Sequence, residues 1–275
     1  MTHHILRDSV EEVADAIAGY GFTAVQLNLE SAGLDPLPAE LDPATCRRIG
    51  AAFAGRGIEV AAASGTFNAI HPDTNQRQEG VRRVALLAGR CADLGTHVIT
   101  LCTGTRHPTH MWRFHPDNAL PDAWVDCVET LRQLAAIGER EDVTMAFEPE
   151  TVNVVDSAKK AARIIDEVGS DRLRVVLDPA NLFHPADLPH MHDVLEEAFA
   201  LLGTKIALAH AKDVRISDRD PQECVRPAAG NGVLDYATYA RLLRGSGFDG
   251  ALVLHSLDEP EVPASKAYVE RYFRM

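Results

Sequence analysis

The chemistry of this 275-residue chain is concentrated at the ends of four short apolar runs. Val143-Thr-Met-Ala-Phe147 stops on Glu148, before Pro149 and a second acid, Glu150. Leu173-Arg-Val-Val-Leu177 stops on Asp178-Pro179, Lys205-Ile-Ala-Leu-Ala209 on His210, and Ala251-Leu-Val-Leu254 on His255. Each run is too short for a helix and reads as a buried strand, and proline is tolerated at a strand end. A charge closing a buried strand costs free energy unless it is paired or binds a metal. Glu148, Asp178, His210 and His255 together make a mixed oxygen and nitrogen donor set. It suits one divalent ion: Mn²⁺, Co²⁺, Zn²⁺ or, less well, Mg²⁺.

Such an ion grips two adjacent oxygens of a hydroxy-ketone or hydroxy-aldehyde, acidifies the C–H between them and stabilises the enediolate. A neighbouring group then moves the proton, and Glu148, Glu150 and His255 are the catalytic candidates. Each residue also has an ordinary structural explanation. Glu148 can be an ion-pair acid, Asp178 before Pro179 a turn or N-cap aspartate, and His210 a hydrogen-bonded core histidine. Glu259, in the loop after the last run, is an alternative to His255 as the fourth ligand. Joint occurrence at four successive strand ends favours a site.

The elements that must position these residues follow from periodicity and punctuation. His3-His4-Ile5-Leu6 is a weak first strand, and Ser9 with Glu12 forms a capping box for the helix after it. Strands are expected at 23–29, 58–63, 97–102, 143–148, 173–177, 205–209 and 251–254. Helices are expected from 42 to Gly55 or Gly57, with Pro43 in the first turn, and at 75–94, 122–140, 156–168, 187–202, 235–244 and 263–275. Strands joined by helical crossovers pair in parallel with right-handed connections. Eight such units predict an α/β fold, a (β/α)8 TIM barrel forming one domain over 1–275, with its site at the C-terminal strand ends. An open doubly wound sheet would want a glycine-rich phosphate loop after the first strand, and the sequence has none there.

Composition narrows the partners. The formal net charge of −13, with no Lys/Arg run, excludes nucleic acid and anionic membrane as expected partners. Five scattered cysteines without Cys-x-x-Cys spacing read as reduced thiols of a cytoplasmic protein. No signal peptide and no transmembrane stretch is expected. The expected ligand is a small-molecule sugar or polyol, and homo-oligomerisation is left open.

Phe67-Asn-Ala-Ile-His-Pro72, Glu148-Pro-Glu150, Leu177-Asp-Pro-Ala-Asn-Leu182 and His210-Ala-Lys-Asp213 resemble the xylose-isomerase-like barrel superfamily. It includes sugar and sugar-phosphate isomerases and epimerases, inosose dehydratases and the endonuclease IV type of repair enzyme (the AP-endonuclease-2-type barrel). The resemblance implies a divalent metal held by Glu, Asp, His and Glu at the ends of strands five to eight. The first three fall on Glu148, Asp178 and His210; the fourth falls on His255, a departure. It also implies a substrate-side loop at Asn68 and His71. From the residues themselves, Asn181 can bond a substrate hydroxyl or serve as a cap. Lys212 can hold an anionic group or pair with Asp213. Thr103 to Pro121 is long enough to be a functional loop. In it Arg106, Arg113 and His115 are candidates for a phosphate or carboxylate, and Trp112 for the sugar face. A metal-dependent isomerase or epimerase is the leading expectation, an inosose-type dehydratase the second. A DNA-repair phosphodiesterase and a non-catalytic sugar-binding barrel rank lower.

Overall fold

The computed structural model describes residues 1–273. Its strands are β1 (Ala24–Leu27), β2 (Glu59–Ser64), β3 (Val98–Cys102), β4 (Thr144–Glu148), β5 (Leu173–Leu177), β6 (Ile206–Ala211), a short hairpin of β7 (Arg215–Ile216) and β8 (Cys224–Val225), and β9 (Leu252–Leu254). The helices are α1 (Val10–Gly19), α2 (Pro43–Ala54), α3 (Thr74–Ala88), α4 (Cys91–Leu94), α5 (Pro121–Glu141), α6 (Ala158–Val168), α7 (Met191–Leu202), α8 (Tyr236–Gly245) and α9 (Val262–Phe273). Side-chain caps start many of them: Ser9, Asp42, Asp73, Ser157 and Asp235 each accept a backbone N–H of the first turn. The main sheet runs β1-β2-β3-β4-β5-β6-β9, every neighbour parallel, with helices between the strands. This is a nearly closed TIM barrel.

Strand alternation divides the core into two layers. Ala62, Ala146, Val176, Leu208 and Val253 form a small inner cluster. Their sequence neighbours Ala63, Phe147, Val175, Leu177, Ala209 and Leu254 belong to the larger layer shared with the helices. Residues two apart on a strand share a face. Glu148, Asp178, His210 and His255 each stand two positions beyond an inner residue, so alternation delivers all four to the inside at the C-terminal end.

The expected first strand at His3–Leu6 is absent, so the sheet has seven strands among the described residues. Thr2–His4 is a single turn of 3-10 helix instead. The turn satisfies its backbone locally, with Ile5 N donating to Thr2 O at 3.0 Å. It also bridges the seam of the barrel. Asn28 N, just after β1, donates to Thr2 Oγ1 at 2.8 Å, and the Met1 nitrogen donates to Leu254 O at 2.9 Å. The expected 75–94 helix breaks between α3 and α4 at Gly89–Arg90, and Pro185–His190 is 3-10 helix with Pro189 inside it. The β7–β8 hairpin was not foreseen. All five cysteines are unpaired. No helix among the described residues is long and apolar enough to cross a membrane.

Candidate functional site

His210 is the centre of the site. Its ring is buried at the end of β6, with Nε2 2.8 Å from Gln26 Oε1. Gln26 in turn donates through Nε2 to Thr100 Oγ1 at 3.0 Å, which ties the amide to β3. With the amide so placed, Gln26 Oε1 faces His210 Nε2, and Nδ1 faces two carboxylates, Asp178 Oδ2 at 3.4 Å and Glu148 Oε2 at 3.5 Å. Lys212 Nζ stands 2.9 Å from Asp178 Oδ2, 3.9 Å from Glu148 Oε1 and 3.3 Å from His255 Nδ1. The His255 ring stacks on that of His210 with centroids 5.0 Å apart. Hydroxyls beneath hold the strand: Tyr239 donates to His210 O at 3.0 Å and Tyr236 to Lys212 O at 2.9 Å.

Burial and close packing of charge shift the proton equilibria of Asp178, His210, Lys212, Glu150 and His255. Burial pushes the Asp178 carboxyl up, but Lys212 and His210 more than offset that and hold it at about 2. Burial pushes the His210 imidazole down, and the charges of Glu148 and Asp178 raise it to about 9. Burial also lowers Lys212, yet Asp178 and Glu148 keep it above its ordinary value. Burial and then the charge of Glu148 push the Glu150 carboxyl up to about 8. Burial and then Lys212 push His255 well below the ordinary imidazole range.

These residues fit a divalent metal. Donor atoms about 2.1 Å from a common ion lie roughly 3.0–3.4 Å apart, close to the separations of His210 Nδ1 from the two carboxylates. Asp178 Oδ2 and His210 Nδ1 are both buried, and neither has a partner in hydrogen-bond geometry. The other oxygen of Asp178 accepts from Ala180 N at 3.1 Å, so capping accounts for one oxygen, while the second faces His210 and the Lys212 ammonium. Asp178, His210 and His255 also offer ligand atoms within 4.8 Å of one another. Glu259 is engaged elsewhere: Arg7 grips it at 2.6 and 2.9 Å, and Tyr20 donates to it at 3.1 Å.

A cavity of about 540 Å³ opens over the site, lined among others by Gln26, Thr100, Trp112, Glu148, Glu150, Asn181, Lys212, Arg226 and His255. Asn181 Nδ2 donates to Glu148 Oε1, so it orients that carboxylate as well as facing the cavity. Lys212 pairs with Asp178 rather than with Asp213. Asp213 instead accepts Val214 N, Leu234 N and Gly230 N at 2.9, 2.8 and 3.0 Å.

Three expected substrate residues lie away from this wall. Asn68 clasps Thr105 through both amide atoms at 2.8 and 2.9 Å. Gly104 makes that clasp possible, since a Cβ there would sit 2.1 Å from Asn68 Oδ1. His71 accepts from Asp73 N at 3.0 Å and bonds Pro108 O at 2.9 Å, the contacts of a turn. Arg106 is buried against Asp126, 2.7 Å away, and donates to Ile70 O at 3.0 Å. All three brace the loop after β3, which is long and needs internal partners. Arg113 is exposed, and His115 caps the 3-10 turn Pro116–Ala119. Sequence reasoning missed Gln26 and Arg226 as site residues. Gln26 had a signal, a polar side chain between Val25 and Leu27. Arg226 had none, because the β7–β8 hairpin carries it to the cavity, where Thr151 Oγ1 accepts from it at 2.8 Å.

Among solved structures, the chain is similar to a 3-keto-D-glucoside 4-epimerase, YcjR, from E. coli, at 18% identity over 97% of this chain and 96% of that one, TM-score 0.73. It is similar to a D-psicose 3-epimerase from Clostridium cellulolyticum H10 crystallised with D-tagatose, at 16% identity over 98% and 95%, TM-score 0.70. It is also similar to an IolI protein with a bound zinc atom, at 19% identity over 100% and 98%, TM-score 0.70. No curated protein matches the chain. At these identities the structures speak for the fold, while the sequence profile described as "Xylose isomerase-like TIM barrel" matches residues 14–271 directly. The chain therefore belongs to the xylose isomerase-like TIM barrel family.

Proposed function

We propose that this protein is a divalent-metal-dependent isomerase or epimerase of a sugar, sugar phosphate or related polyol. The observation that carries the reading is His210 Nδ1, unpartnered and buried, with carboxylate oxygens of Asp178 and Glu148 at 3.4 and 3.5 Å on the floor of the cavity. The sugar epimerases and the zinc-bearing IolI protein among the similar structures support the substrate class and the metal.

Glu148, Asp178 and His210 would hold the ion, with His255 as the fourth ligand. A divalent ion supplies Lewis acidity toward two adjacent oxygens of a hydroxy-ketone or hydroxy-aldehyde. Glu150, raised to about 8, has both proton states within reach near neutral pH, and it moves the proton at the carbon between those oxygens. Lys212 and Arg226 present cationic groups to the same cavity and orient the oxygens of the substrate. Trp112 stands at the cavity wall, where its ring covers the sugar and limits water.

A second reading, an inosose-type dehydratase, is favoured by His255. Its imidazole is held neutral by burial and by Lys212, so that wall lacks the carboxylate that the family pattern would place there. A two-base inversion needs a proton acceptor on each face of the carbon. Chemistry on one face, aldose–ketose isomerisation or loss of a hydroxyl, ranks at least level with epimerisation. The net charge of −13 weighs against a DNA-repair role. Five unpaired thiols suit a reducing compartment such as the cytoplasm.

The test is solvent exchange. Metal-loaded protein, incubated in D₂O with a panel of ketoses, ketose phosphates and inososes, should place deuterium on the carbon beside the carbonyl of at least one. Glu148→Gln should abolish the exchange. Exchange that survives both chelation and Glu148→Gln would overturn the reading.

A further inference from the structure

We infer that His3, His4 and His255 form a second metal site, an all-imidazole one for a zinc-like divalent ion, adjoining the carboxylate site. The seam turn at Thr2–His4 brings two histidines against the third. Ring centroids lie 4.0 Å apart for His3 and His4, 5.8 Å for His4 and His255, and 6.3 Å for His3 and His255. One ligand nitrogen from each lies within 4.8 Å of the other two. An ion about 2.0–2.1 Å from three nitrogens holds them roughly 3.3 Å apart, so small rotations of the rings complete the set.

Two observations point to a ligand there. His3 Nδ1 and His4 Nε2 are buried and have no hydrogen-bond partner, a costly arrangement that an ion relieves. The backbone is also held in place around the cluster. Thr2 and Met1 anchor the turn to both sides of the seam. Ser256, directly after His255, sits at φ 54, a left-handed conformation unusual for a non-glycine residue and common at functional sites.

Donor chemistry separates the two sites. Three neutral imidazoles without a carboxylate select Zn²⁺, Ni²⁺ or Cu²⁺ over Mg²⁺ and Mn²⁺, whereas the Glu148–Asp178–His210 set accepts harder ions. A neutral imidazole keeps a proton on one nitrogen and ligates through the other, so His255 serves one ion at a time. An ion in the outer site therefore takes His255 from the inner set and weakens it. The outer site itself stands whether or not the inner one does.

The test uses the untagged full chain, stripped of metal and titrated with Zn²⁺ against a chromophoric chelator. About two ions per chain are expected, the second not replaced by Mg²⁺. The double variant His3→Ala/His4→Ala should lose one ion and retain the other, and Glu148→Gln in that background should remove the remainder. His3→Gln/His4→Gln serves if the alanine pair fails to fold, judged by circular dichroism. An unchanged ion count and affinity in a folded double variant overturns the inference. A single wild-type ion that is lost in the double variant but kept in Glu148→Gln upholds the outer site and sinks the inner one.

Discussion

Gln26 accepts a hydrogen bond from His210 across the barrel at 2.8 Å, joining residues 184 positions apart in sequence. Gln26 in turn donates to Thr100, so the ring on β6 is held by side chains from β1 and β3. Groups that orient a metal-ligating histidine typically contribute 10–100-fold in affinity. Gln26→Leu should therefore weaken the inner site about 10- to 100-fold while leaving the circular dichroism spectrum unchanged. Undiminished affinity would mean that Tyr239 and the strand backbone orient the ring alone.

Metal binding at this site should depend steeply on pH. Burial alone would lower the His210 imidazole, but Glu148 and Asp178 keep its proton on until about pH 9. A bound ion would compete with that proton for Nδ1, so below this pH each ion bound should expel a proton. Apparent affinity should rise about tenfold per pH unit toward pH 9 and then level off. Titrations at pH 6, 7 and 8 that give one common affinity would show that Nδ1 is already free.

Trp112 should report on the cavity. It is about half exposed on the loop after β3 and lines the cavity wall. The other tryptophan is fixed elsewhere, its Nε1 donating to Glu167 at 2.9 Å and its ring covered by Arg163. In a Trp124→Phe background, a bound ketose or polyol should shift the emission and protect it from an aqueous quencher. Saturating ligand with no change in either would place Trp112 outside the binding wall.

Asp213 carries stability rather than chemistry. It is fully buried, and its two oxygens take three backbone N–H groups, from Val214 beside it and from Gly230 and Leu234 in the segment that leads into α8. Gly232 packs against it so tightly that a Cβ there would lie 2.3 Å from Asp213 Oδ1. Asp213→Ala leaves these donors without partners and should cost about 3–5 kcal/mol. Denaturant titration would show this as a lower midpoint at an unchanged slope. A loss under about 1 kcal/mol would mean that water replaces the carboxylate.

Much of the site was legible before folding was considered. The parity of a strand is a local property, so Ala146 and Glu148, or Leu208 and His210, must share a face wherever the strand is placed. The alternation of strands and helices predicts the barrel, and four ligand-type residues with that parity, closing four successive strands, mark the end where a site is expected. Sequence also located the loop after β3 and the tryptophan on it. What it could not supply was pairing between distant segments. Whether Lys212 meets Asp178 or Asp213, and whether Glu259 meets a metal or Arg7, depends on which wall each loop reaches. Asn68, His71 and Arg106 have chemistry suited to a substrate, but in the tertiary structure their hydrogen bonds hold the loop itself. The seam was decided in the same way. His3–Leu6 reads as a weak strand in sequence, and the bonds that join Thr2 to Asn28 and Met1 to Leu254 hold a turn there instead.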